Sequence, residues 1–214
     1  MRGDFELQQG DVLRILVGQP GTDNSISCDS GGGGGTFVIM DDGGLDDSDI
    51  LVIAGGGGGT TSGYEGIHAV VTTQASAGGG PSNTLVGATG GNGGTTPSGS
   101  HSQSGGGFIG DGEAGNCCGM EANPVGQSFA SGGVGGLSED SAGDANGGFG
   151  GGGAGHGSCS VGGGGGGGYS GGTTGHQSTS DVSGGGGGSF NSGDNQVNTP
   201  NVGSSAGSVL IVAL

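Results

Sequence analysis

The residues whose types suggest chemistry are four cysteines, four histidines and one dense run of aspartates. Cys28, Cys117, Cys118 and Cys159 are even in number, but their spacing fits no zinc pattern: a vicinal Cys117-Cys118 pair is not Cys-x-x-Cys. In a lysine-free, acidic chain rich in Gly, Ser and Thr they read as disulfide partners of an oxidising, extracellular compartment. A bridge from Cys159 to Cys117 or Cys118 is expected, because adjacent cysteines seldom join each other without strain. His68, His101, His156 and His176 are isolated from one another and form no His-Glu-x-x-His, so they read as surface or hydrogen-bonded residues. Asp41, Asp42, Asp46, Asp47 and Asp49 could offer hard oxygen ligands to Ca²⁺. Their spacing is not that of an EF-hand loop, and a solvated hairpin tip is the simpler reading. No other cofactor is expected.

Enzyme motifs arise here from composition. Gly168-Tyr169-Ser170-Gly171-Gly172 and Gly203-Ser204-Ser205-Ala206-Gly207 both fit the Gly-x-Ser-x-Gly nucleophile elbow. An elbow needs a strand before it and a helix after it, and neither site has both. Gly-x-Gly-x-x-Gly matches are unavoidable in glycine blocks, and a chain without lysine has no phosphate-binding P-loop. No catalytic, cofactor-binding or metal residue is assigned, and an enzyme is not expected. The paired threonines Thr60-Thr61, Thr72-Thr73, Thr95-Thr96 and Thr173-Thr174 are too irregularly spaced for an ordered hydroxyl face and read as polar turns.

The elements that position these residues must be built from an unusual composition. The chain has 214 residues, of which 66 are Gly and 5 are Pro. Collagen would need Gly at every third position and abundant Pro, whereas here Gly comes in blocks. Low hydrophobicity (28%) and a net charge of −17 point to disorder. The distribution points the other way, since the apolar residues gather into short runs, each beside a glycine block. The positive charges are Arg2 and Arg14. So acidic a chain repels nucleic acid and anionic membrane surfaces. No segment approaches the roughly 18 apolar residues of a membrane span, so no membrane insertion is expected. Met1 leads into Arg2-Gly3-Asp4-Phe5-Glu6 without an apolar signal region, which reads as a precursor that begins upstream.

Residues 12–17, 36–40, 50–54 and 209–214 are β-branched or aromatic-rich and predict strands, with weaker candidates at 69–72 and 83–86. The turn-rich 41–49 reads as the loop of a hairpin. No segment has a 3.6-residue apolar period with caps, so no helix is predicted. Glycine blocks lie at 31–35, 55–59, 78–80, 105–107, 150–153, 162–168 and 184–188. A flexible linker would be mixed Gly/Ser. Pure glycine suits the three-fold, left-handed polyglycine-II helix, which rises about 3.1 Å per residue and has no internal hydrogen bonds. Without Cβ atoms such helices can pack backbone to backbone and bond to one another. The expected fold is mainly β with polyglycine-II helices: a β-sheet framework carrying a bundle of glycine-rich left-handed helices, with almost no α-helix.

The order of these segments carries a resemblance. Gly3-Asp4-Phe5-Glu6-Leu7 precedes Gly10-Asp11-Val12-Leu13-Arg14-Ile15-Leu16-Val17. Then come Gly31 to Gly35 with Thr36-Phe37-Val38, and Leu51-Val52-Ile53-Ala54 with Gly55 to Gly59. Later stretches are Gly147-Gly148-Phe149, Gly162 to Gly168 with Tyr169, and Gly184 to Gly188 with Ser189-Phe190-Asn191. Over nearly its whole length the chain resembles the glycine-rich domain of the ectodomains of anaplastic lymphoma kinase and leukocyte tyrosine kinase, found also in secreted bacterial and invertebrate proteins. The resemblance implies one glycine-rich domain over 1–214 with its N-terminal strand missing. It implies that Arg2-Gly3-Asp4, which spells an integrin-binding tripeptide, is the start of a strand. There is no kinase domain, so receptor signalling does not carry over.

Two non-enzymatic functions are expected for a secreted or cell-surface protein of this kind. One is a recognition or adhesion module whose rigid scaffold presents loops, such as residues 60–76 and 95–104, to an extracellular protein or glycan. The other is a structural subunit that self-associates into a filament, sheath or matrix through exposed edge strands near Val12 or Val209.

Overall fold

The β-branched runs form the sheets. The structure, a computed structural model, describes the chain except residues 24–28, 81–84, 118, 140–144, 157–161, 175–181, 204 and 214. Strands β1 (Arg2–Asp4), β2 (Leu13–Leu16), β3 (Thr36–Met40), β4 (Ile50–Ala54), β5 (Phe190–Asn191) and β6 (Asp194–Val197) follow in chain order. One antiparallel sheet runs β2-β3-β4-β5, and a small second one pairs β1 with β6. Two short 3₁₀ turns, Asp47–Asp49 and Met120–Ala122, are the helical elements among the described residues. None of the described residues forms a helix long and apolar enough to cross a membrane.

The β3–β4 pair is the expected hairpin, with a register shift between Val38 and Ile39. That bulge sets Ile39 opposite Ile50 and Phe37 opposite Ile53, so isoleucines three apart on β4 both turn to the core. Leu16, Phe37, Ile39, Ile50 and Ile53 pack there with Phe108, Phe129, Tyr169 and Phe190. Phe108 and Tyr169 directly follow glycine blocks 105–107 and 162–168. Their rings anchor the block ends to the sheet: Phe108 meets Phe129 at 5.7 Å, Phe129 meets Phe37 at 5.0 Å, and Tyr169 meets Phe190 at 5.0 Å.

Beyond this cluster the interior is backbone. Residues 162–168 are all buried. Their successive amides turn to three different neighbours in rotation. Gly163, Gly166 and Tyr169 donate to the carbonyls of Val182, Gly185 and Gly188. Gly164 and Gly167 donate to Ser30 and Gly33, and Gly165 and Gly168 donate to Gln103 and Gly106. Carbonyls of the same block accept from three further segments: Gly59 and Gly56, His156 and Gly153, and Gly172. A chain whose bonds rotate through three directions per three residues is neither an α-helix, which bonds to itself, nor a strand, which alternates between two sides. Block 31–35 repeats the pattern, with Gly31 and Gly34 donating to Thr22 and Gln19, and Gly32 and Gly35 to Gly153 and Gly150.

Glycine is required by distance. A Cβ on Gly164 would sit 2.0 Å from the Gly153 carbonyl oxygen, and one on Gly165 would sit 2.1 Å from that of Gly172. Carbon and oxygen cannot approach so closely, so these backbones come together because side chains are absent.

Three sequence expectations need correction. Residues 209–213 form no strand: Leu210, Ile211 and Val212 stand 88%, 58% and 64% exposed. Strand propensity needs a ladder partner, and among the described residues this segment has none; just before it the Gly207 amide donates to Gly18. Residues 69–72 and 85–86 are likewise irregular, and 83–84 lie outside the described residues. The short strands β5 and β6 were not foreseen, because two to four mostly polar residues carry little periodicity, whereas β1 lies where the resemblance placed the start of a strand.

Candidate functional site

The sheet and the glycine layer share one open face. On it lies a groove of about 950 Å³. Its floor runs from Gly33 and Gly57 in the glycine layer to Thr36 and Val38 on β3 and Val52 and Ala54 on β4. Thr36 follows Gly33 by three residues and Ala54 precedes Gly57 by three, so the three-residue period of the glycine layer passes into the two-residue period of the sheet. Segments 65–71, 199–203 and 205–210 wall the groove, and Asp23 and Glu65 stand among its charged residues.

Gly33 and Gly57 differ from the other glycines. Across blocks 31–35, 55–59, 105–107, 150–153, 162–168 and 184–188, a Cβ would come within 3.0 Å of a neighbouring atom at every position except these two. At Gly33 the nearest atom would be 3.5 Å away and at Gly57 3.9 Å, both ordinary contacts. The two are neighbours, since the Gly33 amide donates to the Gly57 carbonyl at 2.8 Å. The Gly57 amide itself has no acceptor among the described residues. Sequence reading missed this pair because glycine blocks look uniform. The signal that was available is the period-three relation of Gly33 to Thr36.

The aspartates at the hairpin tip do not converge. Asp41 pairs with Arg14. Asp42 accepts from the Gly44 amide, Asp46 from the Ser48 amide, and Asp49 from the Asp46 amide. Asp46 and Asp49 together cap the 3₁₀ turn, and the Ser48 bonds hold the Asp46 carboxyl below its usual pKa. Asp47 accepts from the Tyr169 hydroxyl at 2.8 Å and so ties the hairpin loop to the end of the buried glycine block. Burial, with the Asp47 hydrogen bond and charge, pushes the Tyr169 phenol up to about 12. Among the described residues no three metal-ligand types form a group.

Of the histidines, the structure brings His101 and His156 together, edge to face at 5.2 Å. His156 lies 3.6 Å from Glu139. Burial and the neighbouring His156 lower the His101 pKa. His68 is exposed beside the groove, and His176 lies outside the described residues. Cys117 is disulfide-bonded, while Cys28, Cys118 and Cys159 lie outside the described residues.

Ser170, in the first elbow-like motif, is fully buried, and its hydroxyl accepts from the Gly91 amide. Arg2-Gly3-Asp4 is β1 itself, paired with β6. Thr173 and Thr174 are buried while Thr60 is exposed, so the threonines share no face. The two presented segments also differ. Residues 62–65 are exposed, whereas Ser100, Ser102, Gln103 and Ser104 are buried in the glycine layer, which leaves 95–99 as the accessible part of the second.

No protein-family model matches the chain, and no curated protein matches it.

Proposed function

We propose that this is an extracellular, non-enzymatic recognition or adhesion module in which a rigid bundle of polyglycine-II helices presents surface loops and the adjoining groove to a protein or glycan. The observation that carries the reading is the three-way rotation of the amides along 162–169. A left-handed helix of three residues per turn sends successive amides in three directions. Six neighbouring segments take part in its bonds, as a close-packed bundle of such helices requires. The resemblance to the glycine-rich domain of receptor ectodomains and the disulfide at Cys117 agree with a secreted setting.

Function then belongs to what the scaffold holds still. Residues 62–65 and 95–99 project from the bundle, and loops on a rigid frame bind with little ordering cost. The test is to screen the purified chain against extracellular proteins and glycan arrays, then to replace residues 62–65 by a Gly-Ser spacer. The expected result is lost binding with an unchanged melting temperature. Binding that survives replacement of both loops contradicts the reading.

A second reading, a subunit that self-assembles into a filament or matrix, is favoured by one observation. No strand pairs with the outer side of β2 among the described residues, while the apolar run 209–212 has no ladder partner. That run lies in a stretch, 198–213, without a charged residue. Light scattering across concentration tests it, with growth in mass that disappears when 208–214 are removed as the expected result.

A further inference from the structure

The presented segment 95–99 ends two residues before a pair of packed histidines. We infer that His101 and His156 form an acid-sensitive latch under that segment, which keeps its shape while both rings are neutral and is released when both carry protons. The inference rests on the recognition reading above, and it names the regulation of one surface that reading assigns to binding.

Segment 95–99 owes its shape to its anchors. The Thr96 amide donates to the Glu113 carboxylate, and the Thr96 hydroxyl donates to the Glu113 carbonyl. The Gly99 amide donates to the Asn116 side chain, which donates in turn to the Pro97 carbonyl. The Asn116 amide donates to the Ser100 carbonyl. Immediately beyond, Ser100, Ser102, Gln103 and Ser104 are buried. The Gln103 side chain donates to the Pro124 and Leu137 carbonyls and accepts from the Ala154 amide, so one residue joins three segments. Elsewhere glycine backbones bond to one another, whereas this end of the bundle is joined largely by side chains.

Two of the side chains gathered here are imidazoles, with ring centres 5.2 Å apart. His156 Nε2 lies 3.6 Å from the Glu139 carboxylate, which itself rests against Gly119. On the same 115–122 segment, the Glu121 charge reaches His101, and Cys117 is disulfide-bonded and does not titrate. Asp29 accepts from the Gly162 amide, and the Gly162 carbonyl accepts from the His156 amide. A proton on His156 therefore faces Glu139. A second proton, on His101, sets two like charges on adjoining rings in a largely buried site. Burial and the neighbouring His156 hold the His101 pKa below 6.5. A chain opened at this point takes that proton nearer 6.5, so acid favours the opened form and neutral pH the closed one.

Hydrogen exchange of the full chain at about pH 7.5 and about pH 5.5, corrected for intrinsic rates, tests this. Residues 99–104 and 155–156 should lose protection about tenfold or more in acid, while β3 and residues 163–168 keep theirs. His101→Gln should stay protected at both pH values, and His156→Gln serves where that variant fails to fold. Equal protection at both pH values overturns the inference, as does a loss shared evenly by β3 and 163–168, or an acid loss undiminished in the folded variants. Exchange needs no ligand, so the two levels separate. If acid opens the segment but binding survives replacement of both loops, the recognition reading fails and the latch stands. If a ligand held by 95–99 binds equally well at both pH values, the latch fails alone.

Discussion

At the scale of the residue, glycine here is read through what a single methyl group would strike. A Cβ on Gly165 would lie 2.1 Å from one backbone oxygen and 2.7 Å from the Gly105 nitrogen, and neither can retreat without moving its own block. Gly165→Ala should therefore cost about 3 kcal/mol or more, as overpacking against an unyielding wall does. Gly33→Ala and Gly57→Ala meet no such wall and also narrow the unfolded ensemble, so they should be neutral or stabilise by up to about 1 kcal/mol. Urea denaturation of the three variants checks the contrast. Tyr169 gives a pH signature. Its folded pKa of about 12 exceeds the ordinary tyrosine value of 10.0, so the stability it contributes is intact below 10.0 and is lost as pH rises toward 12. A spectrophotometric titration should show one of the two tyrosines ionising late, and Tyr169→Phe should remove that phase. His101 acts at the acid end. Its folded pKa is below 6.5, so the unfolded chain binds the proton more readily and the melting temperature should fall as pH drops below 6.5. His101→Gln should flatten that slope.

At the scale of the element, legibility followed the physical source of order. β3 and β4 were readable because runs of four and five consecutive apolar residues beside a turn-rich loop leave few alternatives, and the hairpin between them formed as expected. Residues 209–213 have a similar composition and no ladder among the described residues, because a strand is a relation between two segments and sequence states one of them. β5 was hidden for the converse reason: Phe190 and Asn191 pair with Ile53 and Val52 from far along the chain. In the candidate site, the hairpin-tip aspartates were visible as a cluster, but their partners were not, since Tyr169 and Arg14 reach them across 122 and 27 residues. The groove floor was invisible because only packing distinguishes Gly33 and Gly57 from their neighbours.

At the scale of the whole molecule, the structure inverts the usual division between core and connection. The aromatic cluster is small, and the largest buried body is a set of glycine backbones. Ordering a glycine costs about 1–2 kcal/mol, while one backbone hydrogen bond returns about 1 kcal/mol. The blocks therefore depend on the sheet and the Phe and Tyr rings at their ends to hold them in place. Phe129→Ala, which removes the ring between Phe37 and Phe108, should destabilise by about 3–5 kcal/mol, and reduction of the Cys117 disulfide should lower the melting temperature. The central claim is that the glycine blocks are the ordered interior. Hydrogen exchange at the amides of residues 163–168 tests it most directly. The packing described here predicts protection near that of global unfolding, equal to that of β3 and β4. Exchange of those amides at the rate of an unstructured chain, while β3 and β4 stay protected, would contradict it.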